Sequence, residues 1–355
     1  MKKIIMILTN GFYSDPRVYK EAEYYIAQGC EVEILCWDRD CKYDIDEIRD
    51  GIKIHRFHIK SKYGSGLKKQ LRAYLKFRKS CLKYLKHQNY DILHCHDLDG
   101  ALVGLKVRKK IVKIFDMHEY YLVYENKLLN FIFGKIVRKV QNKFDYIIYL
   151  NDKQKKDIRK NNLNKLIFLP NYPEKNLFGD NTKSLSDKIR VAFVGNNRYI
   201  KSSMNMIQVC QKYGEIEMHF YGFGVLDLKE FADKNIIFHG KYEYRELCDI
   251  YKNVDIINCV YDSTVNDGFP NKFYEALITH TPLLVDVNSV RSEFIKKYDV
   301  GYIVDVNDIS TYYNVFEKIL QNKNSIIKKV ENMNNIKESY TWEDVVVNLK
   351  TSLNE

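Results

Sequence analysis

The stretch RVAFVGN, residues 190–196, decides the fold, because it begins a second series of strands and helices within one chain. Before it and after it, short apolar strands alternate with helical patterns. Such alternation is typical of a parallel sheet covered by helices. Two series therefore predict an α/β protein with two Rossmann-like, doubly wound domains. Because ligands of such sheets bind at the carboxyl ends of the strands, we expect a cleft between two facing halves.

The first series is expected to occupy residues 1–170, followed by a second domain at 171–340. Its apolar strands are KIIMIL (3–8), EVEILCW (31–37), IKIHRF (52–57), DILHCH (91–96), VKIFDMH (112–118) and YIIYL (146–150). The helices between them are predicted at 16–29, near 67–87, up to about 109 and near 126–142. LIFLPNYP (166–173) is interpreted as the segment that crosses between the domains.

Length and composition exclude several classes of protein. At 355 residues the chain exceeds the usual size of one domain. It has no apolar run long enough to span a membrane, and its short apolar start lacks the cleavage site of a signal peptide. The eight cysteines are scattered without a CxxC pair, which is typical of reduced thiols rather than of a disulfide framework. We therefore expect a cytoplasmic protein.

The net charge of +11 is concentrated in one window. Between Gly51 and Tyr90 there are twelve Lys or Arg residues and no Asp or Glu. In the helix near 67–87 the apolar side is expected to contain Leu67, Leu71, Tyr74, Leu75, Leu82 and Leu85. The adjacent basic stripe contains Lys68, Arg72, Lys76, Lys79, Lys83 and Lys86.

We expect the apolar side of this helix to pack on the first sheet and the basic stripe to face outward. A solvated face is the simple explanation of the stripe. Docking on an anionic membrane surface explains the absence of acids better, since each cation contributes about 1 kcal/mol there. Nucleic acid is a weaker alternative, because no recognition motif accompanies the charge.

The stretch NDGFPNKFYEALITHTPLLV, residues 266–285, is predicted to form a turn, a helix that Pro270 begins, and a strand. A helix N-terminus beside Lys272 suits a phosphate. Glu275, one turn further on, can accept two hydrogen bonds from a vicinal diol such as a ribose. Asp267 stands in the loop before the helix. Plain solvated charges are the alternative explanation for these residues.

This stretch resembles the carboxyl-terminal half of the retaining sugar-nucleotide glycosyltransferases of the GT-B fold, family 4, also called glycosyl transferases group 1. These enzymes carry two acids separated by seven residues, as Asp267 and Glu275 are here. The chain departs from the pattern in three ways. Asp267 replaces the usual Glu, His280 stands where a Gly is expected, and the glycine-rich turn is shortened to GFPNK, a variant associated with capsule and surface-polysaccharide enzymes.

Other blocks of the sequence follow in the order that the family has. They are SDPRVYKEAEYYIAQGCEVEILCWDR (14–39), DILHCHDLDG (91–100), FDMHEYY (115–121), FVGNNRYIKSS (193–203), IIFHGKYEYRELCDIYKNVDI (236–256) and YTWEDV (340–345). The resemblance implies that the terminal helix, at 341–355, returns to the first domain. It also implies transfer of a sugar, with retention of configuration, from a nucleotide sugar, UDP-linked by analogy, to a glycan acceptor that is lipid-linked.

The resemblance assigns most site residues to the donor. Glu275 would hold the ribose. Arg198, with either Lys201 or Lys272, would hold the diphosphate, whose charge grows as the glycosidic bond breaks. The residues expected near the sugar are Asp267, Gly268, Phe269 and Pro270. His118, at the end of a strand, would hydrogen-bond a sugar hydroxyl, although a structural histidine is the alternative.

Further candidates lie in the first domain. His94 and His96 share one face of a strand, but no third ligand stands at metal-binding spacing, and the family needs no metal or other cofactor. Asp97, Asp15 and Arg17 are expected on the acceptor side. Helix capping for Asp15 and a surface charge for Arg17 are the alternatives.

Two other functions stay open from the sequence. One is a sugar-nucleotide epimerase or hydrolase on the same fold, which would have little use for the basic stripe. The other is a non-catalytic, membrane-associated partner that keeps the fold without the chemistry. Replacement of Glu275 by Ala would separate an enzyme from such a partner.

Overall fold

The computed structural model describes residues 1–13, 15–62, 66–118, 121, 127–156, 158–175, 185, 187–196, 200–224, 226–261, 268–336 and 340–353. The chain divides into two compact units. The first contains Met1–Pro170 and Val345–Glu355, and the second contains Asn171–Asp344. Each unit is a parallel sheet with helices, so the predicted architecture of two doubly wound α/β domains is confirmed.

The first unit is built on an eight-stranded sheet with the order β3-β4-β2-β1-β5-β6-β7-β8. Its strands are β1 (Lys3–Leu8), β2 (Glu31–Asp38), β3 (Asp46–Arg49), β4 (Ile52–His58), β5 (Ile92–His96), β6 (Val112–Asp116), β7 (Tyr146–Tyr149) and β8 (Leu166–Phe168). All neighbouring strands are parallel except β3 and β4. β3 is a charged edge strand, so its sequence carries no apolar alternation. β8 lies inside the stretch that the sequence assigned to the crossing segment.

Helices of the first unit connect these strands. They are α1 (Pro16–Ala27), α2 (Leu67–Lys86), α3 (Asp97–Gly104), α4 (Lys127–Lys143) and α5 (Asp152–Lys156). α1 begins as predicted, because the Asp15 side chain accepts a hydrogen bond from the Val18 N–H at 3.3 Å. α3 ends about five residues earlier than the sequence suggested. Among the described helices, none has the length and apolar character needed to cross a membrane.

The chain's C-terminus belongs to the first unit. α12 (Trp342–Val346) and a short 3-10 helix, Val347–Leu353, carry it there. The Lys2 ammonium donates to the Leu353 carbonyl at 2.7 Å, and the Tyr146 hydroxyl donates to the Thr351 carbonyl at 3.2 Å. These bonds attach the terminal segment to β7 and to the start of the chain.

The predicted buried face of α2 is partly wrong. Leu85 is buried as predicted, but Leu71 and Leu75 are 57% and 42% exposed, and the helix buries Ala73, Phe77 and Cys81 in their place. The Phe77 ring stacks on Trp37 of the sheet at 5.3 Å between centroids, which sets the rotation of the helix. The two leucines therefore lie on the solvent side, next to the basic stripe.

The second unit is built on a six-stranded parallel sheet with the order β11-β10-β9-β12-β13-β14. Its strands are β9 (Ile189–Asn196), β10 (Ile216–Phe223), β11 (Ile236–Gly240), β12 (Ile256–Asn258), β13 (Leu283–Asp286) and β14 (Gly301–Val304). Its helices are α6 (Ile200–Lys212), α7 (Leu247–Lys252), α8 (Asn271–Ile278), α9 (Val290–Tyr298), α10 (Ile309–Gln321) and α11 (Asn324–Met333).

A glycine permits close packing at the carboxyl ends of β9 and β10. Gly222 has a φ of +115°, and a Cβ atom there would lie 2.1 Å from the Gly195 carbonyl oxygen. No side chain fits in that space. The two strands therefore approach each other at the edge of the sheet where α6 follows β9.

Candidate active site

A cluster of ionisable side chains lies in the first unit at the carboxyl ends of β5 and β6. Asp116 is its centre and is completely buried. The Arg17 guanidinium, on α1, donates to both Asp116 oxygens, at 2.9 and 2.7 Å, and to the Leu169 carbonyl at 2.9 Å. Burial opposes ionisation of Asp116, but the charges of Arg17 and His118 hold its pKa well below the usual value. Arg17 is therefore not a surface charge.

Three further members of the cluster, Glu21, His94 and His96, are fully buried. Glu21 lies 3.1 Å from Arg17 Nε and 3.5 Å from His94 Nε2. Burial, followed by the charge of Asp116, raises the pKa of Glu21 to about 8, although Arg17 opposes the shift. Burial lowers the pKa of both histidines. Near neutral pH the fully buried part of the cluster and Arg17 thus contain one carboxylate, one guanidinium and a neutral carboxylic acid.

His118 sits at the edge of the cluster, where its side chain is 16% exposed. Its Nε2 lies 2.7 Å from Asp116 Oδ2, and its Nδ1 lies 3.5 Å from Asp97 Oδ2. Burial opposes the charged imidazolium, but the charge and hydrogen bond of Asp116, together with Asp97, raise the pKa of His118 to about 9. His118 is consequently a positively charged donor at neutral pH.

Asp97 links this cluster to the solvent. It is the first residue of α3 and has a φ of +58°, a left-handed conformation that is costly for a residue with a side chain. The Tyr121 hydroxyl donates to Asp97 Oδ1 at 2.8 Å, and 35% of the Asp97 side chain is exposed. Asp97 and His118 are thus the members of the cluster that a ligand can reach. Asp15 makes other contacts: it caps α1 and accepts a hydrogen bond from Asn10 Nδ2 at 3.0 Å.

Four residues of the cluster have the composition of a metal site. Ligand atoms of Glu21, His94, His96 and Asp116 lie within 4.8 Å of one another. The sequence did not suggest this grouping, because the two carboxylates come from other elements. Asp116, however, already accepts hydrogen bonds on both oxygens from Arg17, and a dication would have to displace this guanidinium. The charges present favour an ion-pair network over a metal.

In the second unit, Lys272 lies in the first turn of α8 at the carboxyl ends of β9 and β12. Its side chain is 6% exposed, and within the described residues its Nζ has no hydrogen-bond partner. The ammonium lies 3.2 Å from the centroid of the Phe193 ring. Burial lowers the pKa of Lys272 to about 7, against the opposing effects of Cys259 and Glu275. Among the described residues, no anion is therefore hydrogen-bonded to this buried cation.

Glu275 lies one turn further along α8 and is 7% exposed. The Tyr251 hydroxyl, on α7, donates to Glu275 Oε2 at 2.7 Å. This bond fixes the carboxylate on the side of the helix that faces α7. Burial and the nearby carboxylate together raise the pKa of Tyr251 well above its usual value, so Tyr251 remains a donor.

The turn before α8 is held by a residue that sequence reasoning missed. Arg291, fully buried in the first turn of α9, donates from Nη1 to the Gly268 carbonyl. Phe269 packs against Phe273 and Phe294, with centroids 4.8 and 6.3 Å apart. Pro270 is the N-cap of α8 rather than its first residue, and no side chain caps the helix. The first N–H groups of α8 are thus not satisfied by a side-chain cap.

The structure describes some of the other predicted donor residues and leaves two outside the described part. Lys201 is exposed on α6 and donates to Asn307 Oδ1 at 2.6 Å. Arg198 and Asp267 lie outside the described residues. Lys272 and Glu275 lie together on α8, directly after the predicted turn residues Gly268, Phe269 and Pro270.

Each of the two units matches a model of a known protein family. Residues 17–171 match the family model described as Glycosyltransferase Family 4, and residues 176–339 match the model described as Glycosyl transferases group 1. The two models leave only the chain ends and a short connection unmatched.

The chain is a glycosyltransferase of the GT-B fold. Sucrose-phosphate synthase of Thermosynechococcus elongatus superposes with a TM-score of 0.76 at 14% identity, over 99% of this chain and 98% of that one. TarM gives a TM-score of 0.72 at 14% identity, over 100% and 99%. Anabaena HepE, solved in complex with UDP and glucose, gives 0.69 at 11% identity, over 100% of both chains. A search of curated protein sequences finds no match.

Several residues of this glycosyltransferase were not predicted from the sequence. Glu21 stands four residues after Arg17, so the two share a face of α1, and this spacing could have suggested their pairing. Asp116 stands two residues before His118 at the end of a strand, and residues two apart in a strand share one face, so this spacing could have suggested that they lie side by side. Tyr251 and Arg291 come from separate helices, and no local pattern connects either one to α8.

Proposed function

We propose that this glycosyltransferase moves a sugar from a UDP-linked donor, with retention of anomeric configuration, to a lipid-linked glycan during surface-polysaccharide synthesis. The second unit binds the donor, and the first unit supplies His118 and the acceptor-side residues Asp97 and Asp15, while the buried Arg17 holds Asp116 beside His118. No side chain is assigned as a covalent nucleophile. The protein acts at the cytoplasmic face of the cell membrane.

The observation that carries the donor site is the pair Lys272 and Glu275 on α8. A phosphate group at the start of this helix would meet the first N–H groups of the helix and a buried ammonium. Lys272 and Glu275 are three residues apart, about one helical turn, which suits a phosphate at the start of the helix and a ribose one turn further along. Glu275, oriented by Tyr251, has the carboxylate chemistry that a ribose diol needs.

The choice of UDP rests on relatives of the same fold. Anabaena HepE was solved in complex with UDP and also with UDP-glucose. At 11% and 12% identity these relatives support a nucleoside diphosphate as the class of donor and make UDP the first one to test. We assign Asp267 and the turn Gly268–Pro270 to the sugar, with Arg198 and Lys201 as further candidates for the diphosphate.

The lipid-linked acceptor rests on the surface of α2. Its six stripe cations, Lys68, Arg72, Lys76, Lys79, Lys83 and Lys86, are all exposed. The exposure of Leu71 and Leu75 strengthens the proposal, because apolar side chains among cations are the pattern of helices that lie in a membrane interface. An acceptor anchored in an anionic leaflet would lie beside such a surface.

Nucleotide binding tests the donor site. Thermal unfolding of the wild type is measured with UDP, GDP, ADP, CMP and TDP, and compared with Glu275→Ala and with Glu293→Ala, an exposed acid on α9. One nucleotide at 100 times its Kd should stabilise the wild type and the control by about 2.7 kcal/mol. Loss of this shift in Glu275→Ala supports the site. An equal shift in all three proteins would contradict the role of Glu275.

Vesicle binding tests the basic stripe. A triple variant, Lys68→Gln, Arg72→Gln and Lys76→Gln, is compared with Lys252→Gln, Lys296→Gln and Lys318→Gln, which removes the same charge from exposed sites of the second unit. Three cations at about 1 kcal/mol each predict about 100-fold weaker binding of the first variant to phosphatidylserine vesicles. Equal weakening in both variants would show a net-charge effect and no specific surface.

A further inference from the structure

We propose that Arg291 joins Lys272 in a single site for the two phosphates of the donor. This inference rests on the proposed function, because it takes a nucleoside diphosphate as the ligand of the second unit. It adds a binding residue, on a different helix, to the donor residues that the sequence suggested.

Two helix starts and two buried cations meet at this site. Lys272 lies in the first turn of α8 and Arg291 in the first turn of α9, after β12 and β13, which are neighbours in the sheet. Both side chains approach one ring, that of Tyr261. The Arg291 guanidinium carbon lies 5.1 Å from its centroid, and the Lys272 ammonium lies 5.3 Å from it. Helix N-termini and cations both favour an anion here.

The charge balance around Lys272 points to the same ligand. Among the described residues, the groups that act on its ammonium are the Cys259 thiol, the Glu275 carboxyl and the Arg291 guanidinium. Burial raises the pKa of Cys259, so the thiol is neutral near pH 7. The Glu275 carboxyl is held by Tyr251, and within the described residues the Lys272 ammonium has no hydrogen-bond partner. A phosphate would supply this buried ammonium with a hydrogen-bonded counter-ion, and a neutral ligand would not.

Arg291 also positions the turn that precedes α8, through its bond to the Gly268 carbonyl. One side chain thus connects the phosphate site to the turn assigned to the sugar. An Arg residue stays charged at every physiological pH. Lys272 differs, because burial and then Arg291 shift its pKa downward, to about 7. Binding of a diphosphate should therefore draw a proton onto Lys272 above about pH 7.

Isothermal titration calorimetry with UDP, UMP and uridine tests the assignment. The proteins are the wild type, Arg291→Gln, Arg291→Lys and the control Lys296→Gln, which removes an exposed cation from the same helix. Arg291→Gln should weaken the binding of UDP by about 10- to 100-fold and the binding of uridine by less than about threefold. Arg291→Lys should recover part of the UDP affinity, and the control should bind as the wild type does.

Proton uptake provides an independent readout. Titrations of UDP at pH 8 in two buffers of different ionisation enthalpy should give different apparent enthalpies for the wild type. The difference should disappear in Lys272→Met, whose side chain cannot take up the proton. Equal enthalpies in both buffers for the wild type would contradict a discharged Lys272.

The outcomes separate this inference from the proposed function. If the wild type binds none of UDP, GDP, ADP or TDP, the donor site itself is wrong. If the wild type binds UDP and Arg291→Gln binds it equally well, the proposed function stands and the role of Arg291 is wrong. Equal weakening of UDP and uridine in a folded Arg291→Gln would assign Arg291 to the Gly268 turn alone and would also overturn the inference.

Discussion

Replacing the two buried carboxyl groups of the first unit should have opposite effects. Asp116→Asn is expected to destabilise the first unit by about 3–5 kcal/mol, because it leaves the buried Arg17 guanidinium without its counter-charge. Glu21→Gln is expected to leave the first unit at least as stable as the wild type at pH 7. Both side chains are completely buried in the same cluster, so burial alone predicts no difference between them.

The magnitude for Glu21 follows from its protonation. Its pKa is raised from 4.5 to about 8 by burial and by Asp116. The folded protein therefore holds a proton that the unfolded chain releases above pH 4.5, and stability falls as the pH rises from 4.5 towards 8. At pH 7 the free energy of unfolding is therefore about 3 kcal/mol lower than it would be if folding left the pKa of Glu21 unchanged. Glutamine carries no such proton, so the substitution removes this loss of stability.

Urea unfolding followed by tryptophan fluorescence measures the effect. The chain has two tryptophans, Trp37 in the first unit and Trp342. A Trp342→Phe background makes Trp37, which is buried against α2, the reporter of the first unit. The difference in stability between Glu21→Gln and its parent should grow in favour of Gln from pH 5 to pH 8. If Glu21→Gln is as damaging as Asp116→Asn at pH 7, Glu21 is ionised and paired with Arg17, and the reasoning fails.

Three further predictions concern other sites. In the Glu21→Gln variant, the free energy of unfolding of the first unit should fall by about 3 kcal/mol between pH 6.5 and pH 9, because folding raises the pKa of His118 from 6.5 to about 9. Adding His118→Gln should remove this dependence on pH. Gly222→Ala should destabilise the second unit by at least about 3 kcal/mol, whereas Gly214→Ala, with open space around its Cβ, should change it by less than about 1 kcal/mol. Both are measured by urea unfolding in a Trp37→Phe background, where Trp342 reports on the second unit. Tyr251→Phe should weaken UDP and uridine alike in calorimetry, since it acts on the ribose through Glu275, and selective loss of UDP would contradict that route.

The fold was predictable because its evidence is local. Each apolar strand and each helix start, such as Asp15-Pro16, can be recognised within a few residues, and the restart at 190–196 gives the number of domains. The rotation of α2 was not predictable in this way. It depends on Phe77 stacking on Trp37, forty residues away, and therefore on the sheet against which the helix packs.

The candidate site was predictable where one helix supplies it. Lys272 and Glu275 are three residues apart on α8, and their spacing alone places them on one side of the helix. Arg291 and Tyr251 reach the same region from α9 and α7, so only the packing of three helices identifies them. The residues of the cluster around Asp116 likewise come from α1, β5 and β6. The sequence near Arg17 does not show these partners, so a surface charge was a reasonable alternative for it.

Stability gives no reason for either group of buried charges. An ion pair in a protein interior is often no better than an apolar pair of the same volume. A buried ammonium without a hydrogen-bond partner, as Lys272 is within the described residues, is worse. The apolar cores lie elsewhere in both units, against the faces of the sheets. The buried charges are found instead where strands β5, β6, β9 and β12 end, at the edge where sheets of this kind bind ligands. A cost in stability that recurs at the ligand-binding edge of both units is the expected consequence of selection for binding and chemistry there.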